Sequence, residues 1–164
     1  RDRNQWRHAV AAEAARIREA YGRRDSDDRY SLADKGHLFL IQDLERHLLD
    51  VLRRETLMPL RDRTMLEVGA GSGFFLREFV RWGANPGNLC GVELLPERLA
   101  EARARGTAPI RLLRGDGARL PLRDACMDVV FQATMFSSVL DAAVRRNIAA
   151  EMLRVVRPGG VVLW

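Results

Sequence analysis

Two cysteines, a single lysine and no long apolar run set the first bounds on this chain of 164 residues. Cys90 and Cys126 sit in apolar segments, without CxxC spacing and with no histidine beside them. That disfavours a disulfide scaffold or a zinc site and points to buried free thiols in a reducing cytoplasm. His8, His37 and His47 form no cluster with metal-ligand spacing, so no metal is expected. No apolar stretch approaches the ~20 residues that cross a bilayer, so no membrane partner is expected. The basic, polar start has the rhythm of a helix rather than of a signal peptide. The chain begins at Arg1 rather than Met, so it need not be the whole gene product. Lys35 is the only lysine among 27 basic residues, and the formal net charge is +5. So strong a preference for arginine reads as coding composition as much as function. The charges scatter along helices without a stripe of arginine and aromatic side chains, which makes nucleic acid an unexpected partner.

What is present suits one compact domain, because 47% of the residues are hydrophobic. Trp6, Val10, Ile17 and Tyr21 recur at helical spacing over residues 3–22, and Gly22 ends that helix. Residues 23–31 are a polar loop. A second helix runs from Gly36 to about Arg54, with Leu38, Ile41, Leu44, Leu48 and Leu52 on one face. Past Pro59 the rhythm changes. Short apolar strands are expected over 63–69, 88–94, 109–116, 126–133 and 161–164, with helices over 71–83, 96–106 and 142–156. Strands alternating with helices mean right-handed crossovers and a parallel sheet. The expected organisation is a single domain, 1–164, with residues 1–58 as a helical cap and 59–164 as the ligand-binding core.

The stretch LEVGAGSGFF, residues 66–75, falls where the first of these strands meets its helix. In a doubly wound sheet, ligands bind beyond the carboxyl ends of the strands, and glycine there lets a ligand lie against the main chain. The helix that follows aims free N–H groups and partial positive charge at the same place. A dinucleotide fingerprint would require a third glycine where Phe74 stands. The chain instead has Glu67, Gly69, Gly71 and Gly73 in an E-x-G-x-G-x-G pattern. Glu93 ends the second strand, where a carboxylate can accept from two vicinal ribose hydroxyls, as it would in a nicotinamide enzyme too. Asp116 ends the third strand in GDGARLPL. MDVVFQA forms the fourth, and EMLRVVRPGGVVLW reads as a helix, a Pro-Gly-Gly turn and a fifth strand.

Those features, in that order over residues 63–164, resemble the class I S-adenosylmethionine (SAM) methyltransferases. The resemblance implies an α/β fold with a doubly wound, mostly parallel sheet behind two N-terminal helices. It implies SAM as methyl donor and S-adenosylhomocysteine (SAH) as product. It places Glu67, Gly69, Ala70, Gly71 and Gly73 around the methionyl part and Glu93 and Leu94 at the ribose. Asp116, Gly117 and Ala118 fall at the adenine, and Gln132 and Ala133 at the methyl-transfer face.

By the same resemblance, the absence of an Asn- or Asp-Pro-Pro motif at residues 132–136 disfavours nucleic-acid amino-methylation. The want of a Cys-Pro nucleophile, a second lysine or a paired-glutamate loop disfavours three other macromolecular classes. A small-molecule acceptor remains, with a hydroxyl oxygen of a sugar or secondary metabolite as the expected methyl-accepting atom. Tyr30, Phe136, Ser137 and Ser138 are expected to line it. His37 and Asp141 are the candidate bases, although His37 also suits a helix surface and Asp141 a helix N-cap. Family members continue past the fifth strand into an antiparallel pair, which this chain lacks. Residues 161–164 are therefore expected to need cover from another segment, a second copy or a partner chain. Two rivals stand beside this reading: an NAD-dependent oxidoreductase, and a non-catalytic subunit that keeps the fold and docks by its open edge.

Overall fold

The computed structural model describes residues 3–23, 33–107 and 109–164. The chain divides into two compact units: Glu19–Met58, and the residues up to Arg18 together with Pro59–Trp164. Among the described residues, no helix is long and apolar enough to cross a membrane.

The smaller unit holds the end of α1 (Arg3–Gly22) and all of α2 (Lys35–Arg54). Asp34 starts α2 by accepting the His37 N–H at 2.7 Å, a side-chain N-cap. Leu48 and Leu52 are buried, and the Leu57 amide closes the C-terminal end on the Leu52 carbonyl at 2.9 Å.

The larger unit is built on a five-stranded, all-parallel sheet: β1 (Met65–Val68), β2 (Leu89–Glu93), β3 (Arg111–Arg114), β4 (Met127–Phe131) and β5 (Val156–Leu163), in the order β3-β2-β1-β4-β5. Every residue of β1, β2 and β4 is buried. Such strands, covered on both faces, are written as continuous apolar runs, not as an alternation. The helices α3 (Phe74–Arg81), α4 (Pro96–Ala104), α5 (Met135–Ser138) and α6 (Ala142–Val155) lie between the strands in sequence. Phe131 at the end of β4 meets Phe75 and Phe79 of α3 edge-on, with ring centroids 5.1 and 5.5 Å apart. Val144, Ile148, Met152 and Val155 of α6 join Leu66, Val68, Val92 and Val130 in one core cluster, and Val10 and Ile17 of α1 pack against it. Strand order reverses between β1 and β4, so the switch point, where sheets of this kind hold their ligands, lies beyond Val68 and Phe131.

Two elements differ from the reading of the sequence. RPGG is not a turn ahead of a short strand. Pairing begins at Val156 opposite Met127 and resumes at Val161 opposite Val129, so residues 157–160 form an irregularity inside β5. The four-residue helix α5 has no counterpart in the sequence reading, because so short a segment carries no period.

Candidate functional site

The turn from β1 to α3 is held in a left-handed shape. Gly69, Gly71 and Gly73 have φ of 74°, 53° and 72°, values that side-chain-bearing residues adopt at a cost. The Gly69 and Ala70 amides both donate to the Val92 carbonyl, at 2.8 and 3.1 Å, which ties the turn to β2. A Cβ on Gly69 would stand 2.7 Å from Met135 Cγ, and one on Gly73 would stand 2.8 Å from Thr107 Cγ2. Both glycines are therefore also demanded by the chain's own packing. Gly71 differs: the nearest group to its missing Cβ is the Arg98 guanidinium, at 3.3 Å. That guanidinium is the end of a flexible side chain, paired with Glu101 at 2.9 Å.

Two buried carboxyl groups stand beside this turn. Glu93, 7% exposed, accepts the Gly71 amide at 2.7 Å on one oxygen and the Leu95 amide at 2.8 Å on the other. It thereby fastens the end of β2 to the middle of the glycine turn and keeps lone pairs to spare. Glu67 on β1 is 3% exposed, and its Oε2 has no hydrogen-bond partner. Burial, and next the charge of Glu93, push its carboxyl well above the usual carboxylate range. A buried, unsatisfied acceptor of this kind suits a cationic donor.

The Gly115 amide donates to the Glu93 carbonyl at 2.9 Å, which brings the end of β3 beside the end of β2. Asp116 follows, half-buried, with Oδ1 accepting the Ala118 amide at 2.8 Å in a tight turn. Ala118 lies in the core, and a Cβ on Gly117 would come within 3.0 Å of Val68 Cγ1. Core packing thus favours small residues at both positions. Leu94 is half-buried.

Beyond β4, Gln132 is buried, and its Oε1 accepts the amides of Met135 (2.9 Å) and Phe136 (3.3 Å), which caps α5. Ala133 is half-buried beside it, and Ser137 is exposed. Phe136 stands edge-on to Trp164, centroids 6.4 Å apart. Asp141 accepts the amides of Ala143 and Val144 at 2.8 and 2.9 Å as the N-cap of α6. Glu67 within β1, Glu93 at the end of β2, and the glycines, Asp116 and the Gln132–Ser137 segment, which follow β1, β3 and β4, all belong to one unit. His37 sits in the first turn of α2, half-buried, in the other unit. Tyr30 lies outside the described residues.

Three participants escaped the sequence reading: Met135 over Gly69, Arg98 over Gly71, and the Glu13–Arg16 pair of α1, which holds residues 138–140. The last had a visible signal. Glu13 stands between Val10 and Ile17 on the apolar stripe of α1, where a charge calls for a buried partner.

Residues 66–164 match a family model described as a methyltransferase domain. An uncharacterized methyltransferase of Mycobacterium sp. (strain KMS) is 31% identical over 140 residues, 84% of this chain and 53% of that protein. The malonyl-[acyl-carrier protein] O-methyltransferase of Serratia marcescens is 38% identical over 102 residues, 61% of this chain and 36% of that one. The chain thus spans about half the length, or less, of these curated relatives. Among solved structures, SAM-bound CalS10, an amino pentose methyltransferase from Micromonospora echinaspora, superposes with a TM-score of 0.61 at 31% identity, over 74% of this chain and 49% of that one. A methyltransferase in complex with the Haloferax volcanii Trm112 activator does so with a TM-score of 0.57 at 27% identity, over 84% and 59%.

Proposed function

This chain belongs to the class I SAM-dependent methyltransferase family, and on that premise we propose that it carries a methyl group from SAM to a small-molecule acceptor, at a hydroxyl oxygen of a sugar or secondary metabolite. The observation that carries the SAM reading is the pairing of a left-handed glycine turn with two buried carboxyl groups, one latched to Gly71 and one with an unsatisfied oxygen. The orphaned oxygen of Glu67 suits the ammonium of a methionyl group, and the amino end of α3 suits its carboxylate. The spare lone pairs of Glu93 suit the ribose hydroxyls, and the free oxygen of Asp116 suits the adenine amino group.

When bound, SAM supplies a methyl group on a sulfonium that is already a good leaving group. The protein's share is then alignment, exclusion of water and removal of the acceptor's proton. Gln132 holds α5 with Met135 against the glycine turn, which supports Phe136 and Ser137 as acceptor-side residues. Tyr30 is proposed to face the acceptor with them. Asp141 is committed to its helix cap, which leaves His37 as the proposed base, since imidazoles exchange protons near neutral pH. The Serratia relative supports oxygen as the accepting atom, and CalS10 supports a sugar-sized acceptor. The free thiols of Cys90 and Cys126 support a cytoplasmic setting. A segment or chain that covers residues 161–164 is part of the proposal, and the Haloferax relative's activator supports a protein in that role.

Calorimetric titration with SAM, SAH and NADH tests the reading. Binding of both adenosyl-sulfur compounds without NADH is expected. Binding of NADH alone would replace it with the oxidoreductase rival.

A further inference from the structure

The segment after β4 is fixed from both ends, and only its front end belongs to the site described above. At the front, Gln132 caps α5. At the back stands a charged pair from α1. Glu13 is 7% exposed, and its Oε1 accepts the Leu140 amide at 2.6 Å. Arg16 grips the same carboxylate with two nitrogens, at 3.0 and 2.8 Å, and donates from its Nη2 to the Ser138 carbonyl as well. An i,i+3 ion pair on a helix surface is by itself only a weak interaction. This one spends its remaining capacity on the backbone of a segment more than 120 residues away in sequence.

Three further observations give the contact a consequence. Val10 and Ile17 seat the same face of α1 in the core, so the pair is delivered from a fixed platform. Thr134, at the head of α5, has φ of 59°, a backbone shape that a β-branched residue keeps only where its surroundings over-determine it. Met135, the next residue, lies against Gly69 with no room for a methyl group between them. Whatever holds residues 138–140 therefore also sets how closely α5 lies on the glycine turn.

We propose that Glu13 and Arg16 are positioning residues that lock the α5 segment over the glycine turn and so shape the ligand site from outside it. The pair touches neither ligand nor reacting atoms. Its effect is on where Met135 and Phe136 stand. The functional half of the inference rests on the methyltransferase reading; the structural half does not.

Hydrogen exchange on the full chain, with and without SAH, tests both halves. Glu13→Ala and Arg16→Met are compared with the exchanged pair Glu13→Arg/Arg16→Glu. In either single variant, amides 135–140 are expected to exchange about tenfold faster, the factor that matches loss of a hydrogen bond to a charged group, while β1 and β4 keep their protection. The exchanged pair is expected not to restore protection, because the Leu140 amide would then face a guanidinium. SAH affinity is expected to fall about threefold or more with the same changes, as a mobile α5 must be ordered again on binding. Unchanged exchange at 135–140 in both single variants, or full rescue by the exchanged pair, would reduce Glu13 and Arg16 to a helix-surface ion pair and overturn the proposal. Faster exchange with SAH affinity intact would overturn its functional half. If the unaltered chain bound no SAH, the methyltransferase reading would fail while the exchange comparison still decided whether the lock exists.

Discussion

Burial first, and the charge of Glu93 second, raise the Glu67 carboxyl well above the usual carboxylate range. A carboxyl whose folded pKa is raised contributes stability that is full below its unfolded pKa and is lost as pH rises through the folded value. The chain is therefore expected to lose stability, relative to Glu67→Gln, as pH climbs from the ordinary carboxylate range towards that raised value; urea titrations at a series of pH values read the difference. An ammonium delivered to Oε2 would reverse the preference and release the proton. Calorimetry of SAH in buffers of different ionisation enthalpy should detect that release, and Glu67→Gln should abolish it. Glu93→Gln makes a separate prediction. It keeps the side chain's shape, but its amide nitrogen cannot accept, so either the Gly71 or the Leu95 amide loses its partner, and SAH affinity should drop by ~1–3 kcal/mol. An affinity equal to that of the unaltered chain would remove Glu93 from the site.

Among the elements, β5 shows how packing imposes what composition only hints at. A Cβ on Gly160 would stand 2.7 Å from the Asp128 carbonyl and 3.0 Å from that of Arg157. These are backbone atoms, so neither can swing away. Gly160→Ala should therefore push β5 off β4 and cost ~1–3 kcal/mol, in the range of other overpacked sites, read as a lowered midpoint in thermal melts. Melts that coincide with those of the unaltered chain would show that the irregularity yields freely. RPGG was legible as a break but not as a break inside a strand, because the signal for both is the same pair of residues. β1, β2 and β4 were legible because strands buried on both faces are written as plain apolar runs. α5 was not, since the groups that bond its two ends, Gln132 and Arg16 of α1, lie outside its own four residues. For the same reason Glu93 could be found from its place after a strand, whereas Met135 and Arg98 could not: their roles depend on which turn they happen to face.

Across the whole molecule the strongest prediction concerns linkage. A ligand that binds the folded chain alone raises its stability by about 2.7 kcal/mol at a hundred times its dissociation constant. A domain of this size gains ~2–4 °C in melting midpoint per kcal/mol, so saturating SAH should shift the melt by several degrees. The shift should belong to the unit that carries the sheet, because the glycine turn, Glu67, Glu93 and Asp116 all lie in it. NADH should leave the midpoint in place. Amide exchange resolved along the chain adds the part that a melt cannot resolve. Protection by SAH is expected at residues 67–73, 93–95 and 115–118, which hold the turn and the acidic strand ends. His37, the proposed base, makes a separate prediction. If it is the base, His37→Gln should leave SAH affinity and the thermal shift intact while abolishing turnover of an acceptor found by screening. A His37→Gln chain that methylates as fast as its parent would send the search for the proton acceptor elsewhere, without touching the case for the donor site.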